Sequence, residues 1–214
     1  MPRYADTDTE SGGTGLQTSL REDARALIAD AVGGVQETVV IFAGSGCTGA
    51  FDKLIGFLGL CIASELEDRY QLSEGIPAAQ RPLVFLGPEE HQTSELPWRK
   101  SLADVVVIGQ DGNGHIDLAH LAAELTRAEA RPLKINAFSA ARNVTGIVTD
   151  INRISAILHG ALAFWGFAAA APYESIEMYA EAGGHPKAYQ DAIFLNPHKL
   201  IGGRSNPMHS RRTP

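Results

Sequence analysis

The chain has 214 residues, 44% of them hydrophobic and 20% charged, and its 25 acidic against 18 basic side chains give a net charge of −7. That composition suits a soluble globular protein with one good-sized core, and the acidic balance argues against nucleic acid or an anionic membrane as the main partner. Two cysteines, Cys47 and Cys61, offer neither a disulfide framework nor zinc-ligand spacing, so a reducing, cytoplasmic location is expected.

The opening "MPRYADTDTE" is acidic and lacks an apolar or Arg-rich targeting pattern. Residues 1–15 read as an extended, Gly-rich segment. Ser19 is a candidate N-cap for a helix over 20–32, with Gly33-Gly34 as its stop. "TVVIFAG" (38–44) is β-branched and apolar, and predicts a buried strand. Leu54, Ile55, Leu58 and Ile62 fall at helical spacing in a helix over about 48–63, and residues 64–81 read as a charged loop. Further strands are predicted at 82–87, 104–110, 133–140, 161–167 and 192–196. A turn at 111–114 and helices over 116–130 and about 150–159, the second with Asp150 as N-cap, separate them. Residues 180–191 read as a loop. The most apolar stretch, "GALAFWGFAAAAP" (160–172), is too short to span a bilayer.

Apolar strands alternating with helices predict an α/β three-layer sandwich around a mainly parallel sheet. Such sheets carry their chemistry beyond the carboxyl ends of the strands. Special residues recur there: Gly46, Cys47 and Thr48, then Glu90-His91, Asn143, Gly166, and finally His198-Lys199.

"GSGCTG" (44–49) fits G-x-G-x-x-G between a predicted strand and a helix. Glycines there admit a close backbone approach, and free N–H groups at a helix start hold a phosphate. A dinucleotide site also wants an acid about 20 residues on, at a strand end. Glu65 has the distance but lies in the charged "SELEDRY", and Gly49 is followed by Ala50, not by a Walker lysine. The alternatives here are a tight strand–helix turn with no ligand, an NAD-type oxidoreductase loop, and a different phosphate site.

"GSGCTGAFDKLI", "EHQTSELPW", "FSAARNVTGIVTD", "AAAAPY" and "NPHKLIGG" occur in this order. Together they resemble the large domain of the class V aminotransferases, pyridoxal-phosphate enzymes that include cysteine desulfurases, from about Tyr4 to Gly203. The resemblance implies a fold-type I large domain, a pyridoxal 5'-phosphate cofactor, an amino-acid substrate and a homodimer. It implies that Lys199 forms the Schiff base, that Cys47 and Thr48 hold the phosphate, and that Asn196 and His198 lie beside it. His91 would stack on the ring and move protons, and Asn143 would bind the phenolic oxygen. Each has an ordinary structural alternative: a surface lysine, a helix-capping histidine, an Asx turn. Cys47 would be a small residue in the phosphate cradle, not a sulfur-accepting nucleophile. Trp98 reads as core, and His115, His120, His159, His185 and His209 show no metal-ligand spacing.

The chain also departs from that pattern. The family places an aspartate, which holds the pyridinium nitrogen, where this chain has Gly166. Asn196 replaces a serine, and Arg142 replaces a small residue before Asn143. On this reading residues 16–203 form a partial cofactor-binding domain, 204–214 a polar tail, and the family's small C-terminal domain is absent. A catalytically inactive, truncated or degenerate paralogue is therefore the main alternative.

Overall fold

The computed structural model describes residues 12–158, 160–179 and 189–200. Five strands form one wholly parallel sheet: β1 (Leu83–Leu86), β2 (Asp104–Val107), β3 (Lys134–Ser139), β4 (Leu162–Gly166) and β5 (Ala192–Phe194), in the order β2-β1-β3-β4-β5. Six helices accompany it among the described residues: α1 (Gly12–Ala31), α2 (Gly46–Phe57), α3 (Ser64–Tyr70), α4 (Gln92–Arg99), α5 (Leu118–Arg127) and α6 (Ile151–Ile157).

Alternation along the strands builds two cores, one on each face of the sheet. Phe85, Phe138 and Trp165 pack with Leu121 of α5 and Ile154 of α6. Val84, Leu86, Ala137 and Phe164 pack with Phe51 and Ile55 of α2 and Trp98 of α4. The α/β sandwich is the predicted one, and Trp98 is fully buried core. No helix among the described residues is long and apolar enough to cross a membrane.

Capping follows the sequence in several places. Asp117 accepts the Ala119 and His120 N–H groups to start α5, and Asp150 accepts the Arg153 N–H to start α6. Gly33, at φ 64°, ends α1. That helix begins earlier than expected, so residues 12–15 are helical, not extended, and Ser19 lies inside it. Likewise α2 ends at Phe57 and the predicted loop over 64–81 contains α3 and two short 3-10 turns.

The strand expected over 38–44 does not form. Val39 is 78% exposed, and Ile41 and Phe42 are exposed beside it. Arg25 of α1 ties the segment down, donating from Nε to the Val40 carbonyl at 3.1 Å and lying over the Phe42 ring. A strand exists only where a neighbouring edge completes its ladder, and no described strand pairs with this one. Of the remaining expectations, most of the 180–191 loop, His159, His185, Gly202-Gly203, the polar tail and residues 1–11 lie outside the described residues.

Candidate functional site

The candidate residues gather beyond the carboxyl ends of β1, β3, β4 and β5, where α2 starts. Two residues past β5, Asn196 is buried, and its Oδ1 accepts the Cys47 N–H at 2.7 Å. This bond joins residues 149 apart in sequence and fixes the β5 loop against the first turn of α2. Gly46 allows the approach: a Cβ there would lie 2.2 Å from Asn196 Oδ1 and 3.3 Å from His198 Cε1, and its φ is 64°. Gly49 closes the loop on itself, because its Cβ would lie 1.8 Å from the Gly44 carbonyl oxygen. The first and last of these contacts give "GSGCTG" a packing reason for two of its glycines.

Pro197–Lys199 forms a 3-10 turn, closed by Lys199 N–H donating to the Asn196 carbonyl at 2.9 Å. His198 and Lys199 are exposed, whereas a lysine that acts as a nucleophile is commonly held partly desolvated. Lys199 has no hydrogen-bond or ion-pair partner among the described residues, but its charge reaches the Cys47 thiol. Burial pushes that thiol up to about 11, with Lys199 pulling it back only in part. Cys47 is thus a protonated thiol buried in the core. Thr48, half-buried in the first turn of α2, has a hydroxyl without a partner among the described residues.

His91 caps α4: its Nδ1 accepts the Thr93 N–H at 3.2 Å and lies 2.8 Å from Thr93 Oγ1. The structural alternative for this residue is therefore realised, and the ring remains exposed at the sheet edge. Asn143 is exposed in the turn after β3, which closes through Gly146 N–H donating to the Arg142 carbonyl. Its side chain makes no Asx-turn bond. The Arg142 guanidinium is almost wholly buried and pairs with Glu89 at 3.2 Å, so its charge is matched.

Glu90, singled out at this edge without a role, and Ser139 complete it. Glu90 accepts the Ser139 N–H at 2.8 Å, the Ser139 hydroxyl at 2.5 Å and the Ser94 hydroxyl at 3.1 Å. The turn after β1 aims it inward: Glu89 adopts φ 56°, and a Cβ at Gly87 would lie 2.6 Å from Glu90 Oε1. Burial raises the Glu90 carboxyl above its ordinary value, opposed by the Ser139 and Ser94 bonds and by Arg142. Ser139 sits opposite Gly166 in the β3–β4 register. A strand-end position was the available sequence signal for both residues.

The donors fit a phosphate ester joined to an aromatic aldehyde: a helix start, an imidazole, and a hydroxyl and a primary amine that have no partner among the described residues. They do not fit a dinucleotide, since no strand precedes the glycine loop and Glu65 is exposed in the first turn of α3. A separate cleft of about 440 Å³ lies beside Arg142, lined also by Asp111, His115, Thr149, Asp150 and Arg153. None of the predicted cofactor ligands lines it.

Comparison with known proteins agrees with this fold. A NifS-like protein from Rickettsia africae ESF-5 superposes with a TM-score of 0.66 at 18% identity, covering 94% of this chain and 49% of that one. Mouse CSAD gives 0.62 at 17%, covering 89% and 40%. The cysteine desulfurase CsdA from Escherichia coli gives 0.53 at 16%, covering 80% and 39%. At these identities the likeness shows the shared fold, and the chain spans half or less of the length of these structures. Among curated protein sequences none matches. The Aminotransferase class-V family matches over residues 14–203, nearly the whole chain, and the chain belongs to that family.

Proposed function

We propose that the chain binds pyridoxal 5'-phosphate at the α2–β5 junction, with Lys199 as the amine that bonds covalently to its aldehyde. The observation that carries this reading is the bond from Cys47 N–H to Asn196 Oδ1, which brings the glycine loop and the His198-Lys199 turn together. Thr48 and the first turn of α2 hold the phosphate, with His198 beside it. Asn196 uses its carbonyl oxygen internally and keeps its amide NH₂ as a donor. Asn143 presents an uncommitted amide to the phenolic oxygen. His91, exposed and held by Thr93, stacks on the ring and moves a proton.

When bound, the cofactor supplies an electron sink for bonds at the α-carbon of an amino acid. Lys199 Nζ contributes first as nucleophile and then as the base nearest that carbon. Family likeness extends the proposal to a homodimer, and two cysteines without disulfide-framework spacing extend it to a reducing, cytoplasmic location. A second reading, cofactor binding without turnover, is favoured by Gly166, which offers no carboxylate to the ring.

Borohydride reduction of the purified chain with pyridoxal phosphate tests the proposal. The expected result is a visible absorption band that borohydride bleaches, leaving a mass increment mapped to Lys199, with band and increment both absent in Lys199→Ala. No band refutes cofactor binding, and a band unchanged in that variant refutes Lys199 as the attachment point. A panel of amino acids then separates the readings: spectral change with one of them supports turnover, and none supports the inert form.

A further inference from the structure

A bound pyridoxal ring is an effective electron sink only if its nitrogen has a partner that fixes its charge. Gly166 provides no side chain, yet the space above it is bordered by a polar group. A Cβ at Gly166 would lie 3.7 Å from Ser139 Oγ, ordinary contact distance, so the Ser139 hydroxyl borders the position that a side chain at 166 would occupy. Behind that hydroxyl stands the Glu90 carboxylate, which takes both the N–H and the O–H of Ser139.

We infer that Ser139, backed by Glu90, is the partner of the ring nitrogen in this chain. The inference rests on the cofactor reading above. A serine hydroxyl has one proton and two lone pairs. With its proton committed to Glu90 Oε2, Oγ presents a lone pair to the ring N–H, and once Glu90, whose titration burial raises, is ionised, its charge acts through one intervening hydroxyl. Ser139 touches the cofactor; Glu90 is a positioning residue that orients the hydroxyl and supplies the charge. The other nearby carboxylate, Glu89, is exposed and occupied by Arg142. The inward turn at Glu89 and the bare Cα of Gly87 are the backbone features that bring Glu90, alone of the pair, behind Ser139.

The test compares pyridoxal phosphate with its analogue carrying carbon in place of the ring nitrogen, titrated against the purified chain by fluorescence. The parent chain is expected to prefer the nitrogen compound by about tenfold to a hundredfold, the range for a hydrogen bond involving a charged group. In Ser139→Ala most of that preference disappears while affinity for the carbon analogue moves less than about twofold. A merely structural role of Ser139 would weaken both compounds equally, and that result, or an unchanged preference, overturns the inference. Should Ser139→Ala fail to fold, Glu90→Gln decides: it keeps a neutral hydrogen bond and removes the charge, so the preference must fall part-way. An unchanged preference there overturns the inference too. If the parent chain binds neither compound, the cofactor reading itself fails, and the inference falls with it.

Discussion

Gly46→Ala probes the contact on which the site is built. The substitution has two separable costs. At φ 64° an alanine adopts left-handed backbone, costing about 1–2 kcal/mol. Its Cβ would also lie 2.2 Å from Asn196 Oδ1, so the amide must leave and the Cys47 N–H loses its acceptor. A lost bond of this kind costs about 1 kcal/mol. The sum, about 2–3 kcal/mol, corresponds to a melting temperature lower by roughly 5–10 °C for a domain of this size. Trp98 and Trp165 are fully buried and report unfolding by fluorescence. Asn196→Ala removes the displaced amide in advance, so in that background Gly46→Ala costs only its backbone share. The double-mutant cycle therefore shows a coupling of about 1 kcal/mol, the double variant being more stable than additivity predicts. Additive costs, or a Gly46→Ala variant as stable as the parent, would refute the assigned contact.

Three further outcomes follow from the same geometry. Iodoacetamide at pH 8 labels exposed Cys61 and spares Cys47, whose thiol titrates near 11, until denaturant exposes it; peptide mapping by mass spectrometry checks this, and equal rates at both thiols count against it. Because the Glu90 carboxyl is raised in the folded chain, the native state keeps a proton that the unfolded state releases, so its contribution to stability falls as pH rises above about 4.5 towards the raised native value. Glu90→Gln removes that slope, as urea midpoints measured across the acidic range would show, and parallel profiles for the two proteins would contradict it. Gly166→Asp fits without backbone clash, since the nearest atoms to the new Cβ stand at 3.7 Å; it should tighten pyridoxal-phosphate binding, and weaker binding would place the ring nitrogen elsewhere.

The sheet was legible because each of its strands is a short apolar run between turn or cap signals, and Asp117 and Asp150 announced their helices. The strand over 38–44 carries the same apolar signal and fails for a reason the sequence does not encode locally. Periodicity identifies residues suited to a ladder but not whether a partner edge exists. The site divides similarly. Cys47, Asn196, His198 and Lys199 were named from motif order, and the Cys47–Asn196 bond unites them. Glu90 was singled out at a strand end without a role, and Ser139 was given none; a carboxylate becomes informative only when a fold buries it against a hydroxyl 49 residues away.

The departures at Arg142, Asn196 and Gly166 each look, in sequence, like damage to a cofactor site. In the structure the first two are absorbed by specific partners. The guanidinium of Arg142 is matched by Glu89, and the amide of Asn196 caps the helix that a serine would also face. Drift without compensation leaves buried polar atoms unsatisfied, since each such loss costs only about 1–3 kcal/mol and accumulates where function no longer constrains packing. The buried side-chain atoms without partners among the described residues belong to Trp98, Asn136, Ser155, Trp165 and Gln190. None is a candidate ligand, and none belongs to the Glu90–Ser139 pair. The polar groups around the proposed cofactor are therefore mutually satisfied or left facing solvent as donors, the arrangement that a ligand-binding edge requires.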